Sequence, residues 1–97
     1  MAGEVTTDGT DDPALHELRE LLAVNDRALL DLVNKRLDLV RQIKQRKAEL
    51  GIAFVDPERE AWLLDHLRKR NEGSLSEQGL REFLAMVLDL TKRELGR

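Results

Sequence analysis

A chain of 97 residues is one domain, small enough that its core is marginal unless copies associate. Charged residues at 36% and aromatics at 3% suit an all-helical fold and suit strands poorly. The formal net charge of −3 resides in the first thirteen residues, whose four carboxylates (Glu4, Asp8, Asp11, Asp12) meet no base; without them the chain carries +1, which is no basic footprint for nucleic acid.

Residues 1–13 are small, polar and acidic, with too little apolar surface to order themselves, and are expected to form a disordered tail ahead of one helical domain over 14–97. Asp12 followed by Pro13 marks a helix start, with Asp as N-cap and Pro at the first helical position. From Leu15 to Leu50 there is neither Gly nor Pro, and Leu18, Leu22, Leu29, Leu32, Val33, Val40, Ile43 and Leu50 recur at helical spacing. At about 1.5 Å per residue this helix runs roughly 54 Å. A domain of this size cannot bury such a length by itself, so a partner is expected, most simply a second copy.

Continuing that apolar seam in steps of three and four lands on Asn25, Arg36 and Lys47. Eleven residues make about three turns with roughly 20° of drift, so Arg36 and Lys47 project to nearly the same side about 16 Å apart. Two long cationic side chains leaning together can grip opposite ends of one small anion. Lys35, Arg41, Lys44 and Arg46 fit solvated faces, whereas two cations on the buried seam need a charged partner. Arg19 lies about 25 Å from Arg36 and roughly 100° round the helix, so it could reach that anion only from an antiparallel partner helix.

Gly51 stops the first helix, and the apolar connection Ile52-Ala53-Phe54-Val55 is expected to lie against the bundle. A second helix opens at Asp56-Pro57-Glu58-Arg59-Glu60, where capping and the helix dipole explain the first three residues but not Arg59 or Glu60. Trp62, Leu63, Leu64 and Leu67 give it a buried face. His16 and His66 stand alone, without metal-ligand companions. Asn71-Glu72-Gly73 closes this helix. The third starts at Ser74, in a capping box with Glu77, or at Ser76, with a staple between Leu75 and Leu80. Leu80, Phe83, Leu84, Val87, Leu88 and Leu95 form its apolar stripe, with Thr91 and Glu94 near the edge; Gly79 has no evident purpose there.

The ordered set Leu18-Arg19, Asp26, Leu29-Leu30, Arg36, Lys47, Gly51 and Asp56-Pro57-Glu58-Arg59-Glu60 closely resembles the all-helical class of chorismate mutases. The resemblance runs without a gap from about Leu18 to Leu67 and continues to Glu94. It implies three helices per chain, one very long and two shorter, intertwined with a second copy in a six-helix homodimer. It also implies a cytoplasmic enzyme that rearranges chorismate to prephenate on the route to phenylalanine and tyrosine. Such a pericyclic reaction needs no metal, cofactor or nucleophile, and a chain without cysteine can carry it.

By the resemblance, Arg36 and the partner chain's Arg19 bind the two carboxylates of the substrate. Lys47 reaches a carboxylate and the ether oxygen. Glu60 accepts from the ring hydroxyl, helped by the backbone N–H at Asp56, and Arg59 supports the edge. The third helix departs from the family pattern of a small hydroxyl residue followed four positions later by Gln or Glu. Thr91 is the natural hydroxyl, but Leu95 falls four residues on and Glu94 three; the other register pairs Leu90 with Glu94. Thr91 and Glu94 are both expected in the site through a local shift. Glu94 could donate to the ether oxygen only when protonated, so activity is expected to fall as pH rises. Rival readings are an isochorismate pyruvate lyase, a mutase of the amino analogue, or a non-enzymatic regulatory module. No membrane contact is expected, and a partner synthase is not identified by the residues.

Overall fold

The computed structural model describes residues 12–96, all-helical with three helices: α1 (Pro13–Leu50), α2 (Pro57–Arg70) and α3 (Glu77–Leu95). The proposed disordered tail lies outside the described residues except for Asp12 and Pro13. The chain divides after Lys35 into two units.

In the N-terminal unit, Asp12 starts α1. Its carboxylate accepts from the backbone N–H groups of Ala14 and Leu15, each at 3.3 Å, satisfying donors that the first helical turn leaves open. The leucines expected to be buried are uncovered on the single chain, Leu18 and Leu32 each 62% exposed, while Val33 is partly covered.

The second unit comprises the end of α1 from Arg36, α2 and α3. Here α1 stops in a Schellman motif. The N–H of Ile52 donates to the Lys47 carbonyl (2.9 Å), that of Gly51 to the Ala48 carbonyl (3.2 Å), and Gly51 takes φ +72°. Asp56 caps α2 through its side chain on the Arg59 N–H, with Pro57 in the first turn. The third helix starts at Ser76 and not Ser74: its hydroxyl accepts from the Gly79 N–H at 2.9 Å. Gly79 has a steric reason, because a Cβ there would stand 2.8 Å from Leu75 Cδ1. The leucine ahead of the cap folds over the glycine, and a side chain would have to displace it.

The α2–α3 pair holds the core, with Leu80 and Leu84 buried. Phe83, expected on the same stripe, remains about half exposed, as does Trp62. In the connection, Ile52 and Val55 are exposed, while Phe54 is partly covered and lies under Lys44 Nζ, 5.4 Å from the ring centroid. Lys44 also donates to the Leu95 carbonyl at 2.7 Å, closing the C-terminal end of α3.

Candidate active site

The second unit contains a pocket of about 110 Å³ at the junction of its three helical segments. Val40, Phe54, Val55 and Leu88 supply its apolar wall, and Arg36, Lys47, Asp56, Arg59, Glu60, Thr91 and Lys92 supply the polar groups.

Arg36 is placed by α3. Its Nη1 donates to Thr91 Oγ1 at 2.6 Å, and the Thr91 hydroxyl donates in turn to the Val87 carbonyl at 2.8 Å. Thr91 is the buried polar residue of α3, and this bond back to the preceding turn fixes its hydroxyl so that a lone pair faces the guanidinium. Burial pushes the pKa of Arg36 down from its ordinary value. Arginine nonetheless stays ionised, and its other N–H donors remain for an incoming anion.

Lys47 is held at the last turn of α1, where its ammonium donates to the Phe54 carbonyl at 3.1 Å. Asp56 spends its carboxylate on the α2 cap. Arg59, which opposes the dipole at the third position of α2, gains a compensating contact: its guanidinium carbon lies 4.0 Å from the Trp62 ring centroid. Trp62 stacks on His66 at 4.5 Å, and His66 Nδ1 accepts from Arg70 at 3.1 Å. This exposed ladder along α2 accounts for both Trp62 and His66 without metal chemistry. Among the described residues, no group of three or more His, Asp or Glu side chains could hold a metal ion. No helix among them is long and apolar enough to cross a membrane.

Six of the eight residues expected at the site therefore line one pocket: Arg36, Lys47, Asp56, Arg59, Glu60 and Thr91. Arg19 belongs to the N-terminal unit. Glu94 is exposed and absent from the lining of the single-chain pocket. α3 runs as an unbroken α-helix, and the residues it gives to the pocket are Leu88 with Thr91 and Lys92, three and four positions further on. Lys92 is the residue that reading the sequence missed. Its ammonium stands 3.6 Å from Glu60 Oε2. The signal was available in the three- and four-residue steps from Leu88.

The family model for chorismate mutase type II matches residues 18–94. The chain belongs to this family. Among relatives, a T-protein of Enterobacter agglomerans is 43% identical over 58 residues, covering 60% of this chain and 16% of that protein. A chorismate mutase of Methanocaldococcus jannaschii is 36% identical over 55 residues, covering 57% of this chain and 56% of that one. The chain thus spans a minor part of the first relative and little more than half of the second. No solved structure matches it. For a member of the chorismate mutase type II family, the matched span reaches from the residue before Arg19 through Glu94, so every residue lining the pocket, with Arg19 and Glu94, falls inside it.

Proposed function

We propose that the chain is a chorismate mutase, converting chorismate to prephenate by an intramolecular [3,3] rearrangement on the route to phenylalanine and tyrosine. The observation that carries this reading is the charge of the pocket. Four cations, Arg36, Lys47, Arg59 and Lys92, meet two carboxylates, Asp56 and Glu60, a surplus that suits a dianion.

The reaction requires the flexible dianion to be held in a compact conformer, and the negative charge that grows on the ether oxygen to be met as the C–O bond breaks. Arg36 takes one carboxylate. Lys47 takes the other together with the ether oxygen, and is the group whose interaction strengthens in the transition state. Both already rest on neutral acceptors, the Thr91 hydroxyl and the Phe54 carbonyl, so both are aimed before substrate arrives. Glu60 accepts from the ring hydroxyl beside the Asp56 N–H, and Arg59 borders the site.

The same reading makes residues 14–97 one half of an intertwined homodimer, with Arg19 of each chain reaching the other's pocket and Glu94 assigned to the ether oxygen. Two observations support it. Leu18, Leu22, Leu29 and Leu32 are exposed on the single chain, a run that a soluble helix covers with a partner. The pocket, at about 110 Å³, is also smaller than the ~300 Å³ at which ligand sites begin, as for a cleft whose other wall comes from a second chain.

The test is a spectrophotometric assay of chorismate disappearance in the presence of a chelator, with the product identified. Prephenate is the expected product. Pyruvate with a benzoate, or no turnover, overturns the assignment.

A further inference from the structure

Lys92 differs from the other cations at the pocket in the group it addresses. Arg36 and Lys47 rest on a hydroxyl and a carbonyl, and Arg59 on an indole ring, whereas Lys92 faces a carboxylate. The contact also crosses between helices, from α3 to Glu60 on α2. Ion pairs such as Arg68–Asp65, Arg81–Glu77 and Arg93–Asp89 are instead local, three or four residues apart on one helix.

The separation matters. At 3.6 Å, Lys92 is beyond the ~2.7–2.9 Å of a charge-assisted N–H···O bond, so it does not occupy a lone pair of Glu60. A carboxylate offers about four acceptor positions, and these remain for a donor on the ligand. Lys92 instead sets a positive charge beside that carboxylate. A solitary carboxylate in this wall would favour a cationic donor over a neutral one. With an ammonium alongside, a second ammonium docking on the same carboxylate meets like-charge repulsion at short range, while a hydroxyl does not.

We propose that Lys92 is a specificity-determining residue that makes the Glu60 position accept a neutral hydroxyl and reject an ammonium. The proposal rests on the mutase reading, within which Glu60 receives the ring substituent. It separates chorismate from the analogue bearing an amino group in place of the ring hydroxyl, an amine that is protonated near neutral pH. A purely structural Lys92 would act otherwise: as a base in the last turn of α3 it would favour the helix dipole and leave ligand choice untouched.

The experiment uses the 97-residue chain and its Lys92→Met and Lys92→Arg variants. For each, KM and kcat are measured with chorismate, and the amino analogue is titrated as a competitive inhibitor, so that its affinity is read whether or not it reacts. The expected result is a ratio of analogue Ki to chorismate KM that falls about tenfold or more in Lys92→Met and keeps its wild-type value in Lys92→Arg. Lys92→Gln replaces the methionine variant should that one fail to fold by thermal melting. An unchanged ratio in the neutral variant, or an equal fall in the arginine variant, overturns the proposal while chorismate turnover by the wild type leaves the mutase reading standing. A wild-type chain that neither turns over nor binds chorismate overturns both.

Discussion

Lys47 and Arg36 are both cationic residues of α1, yet the groups that hold them differ, and so do the consequences of removing each support. Lys47 leans on a backbone carbonyl that no substitution deletes. Its proposed work is electrostatic, so Lys47→Ala is expected to lower kcat about 10²-fold or more, with little loss of folded assembly. Steady-state kinetics beside a thermal melt checks this; a collapse in Tm with kcat retained would make the lysine structural. Arg36 depends on one side chain, Thr91, which is buried. Thr91→Val keeps the volume and removes the acceptor, leaving a partly buried guanidinium without that bond, at a cost of roughly 1–3 kcal/mol in stability. Catalytic efficiency is expected to fall about tenfold, mainly through KM, because Arg36 loses its aim and not its charge. Thr91→Ser should restore both quantities, and denaturant melts with kinetics on the three proteins decide.

Helix ends carry most of what could be read without coordinates. Asp12, Asp56 and Gly51 sit where the sequence places them because capping is decided within about four residues of chain. Ser76 prevailed over Ser74 because its hydroxyl reaches the Gly79 N–H while Leu75 folds over the same glycine, a choice that depends on a side-chain position. The site was legible on α1 and α2, where a cation or carboxylate departs from an otherwise explained pattern. It was less legible on α3. There nothing in the sequence singles out Lys92 among the bases of the last turn, although it joins Leu88, four positions before it, in the pocket lining, while Glu94 lies outside the lining of the single-chain pocket. Trp62, expected on a buried face, is about half exposed on the single chain and carries the Arg59 guanidinium on its ring.

Charge on the outer side of α2 follows simpler rules. Hydrogen bonds from Lys69 and then Arg68 hold the pKa of Asp65 below its ordinary value. A carboxylate with a depressed folded-state pKa contributes stability above its unfolded pKa, and loses it as pH falls through the folded value. Asp65→Asn should therefore lower Tm slightly near neutral pH, and the gap from wild type should close as pH falls through and below the ordinary carboxylate range. Because the group is solvent-exposed, the effect is small; a gap that widened in acid would contradict the sign.

At the scale of the molecule, the proposed exchange of Arg19 between chains can be tested by complementation. Arg19→Ala and Arg36→Ala homodimers should each be nearly inactive. Unfolding and refolding an equal mixture makes half the dimers mixed, each with one site carrying both defects and one carrying neither. About a quarter of wild-type activity should return. Heterodimers confirmed by mass without recovered activity would place both arginines in one chain, or Arg19 outside the reaction.

The uncovered leucines of α1 have a further consequence, which concerns reaction order. If a working site exists only once two chains have met, then well below the dissociation constant of the dimer the number of sites grows as the square of the chain concentration. Specific activity is then not a constant of the protein: halving the amount in an assay cuts the rate about fourfold, until dilution is shallow enough that association saturates. In a cell, a modest change in synthesis would be amplified into a larger change in flux, and a chain still waiting for its partner would present its apolar face to chaperones and proteases.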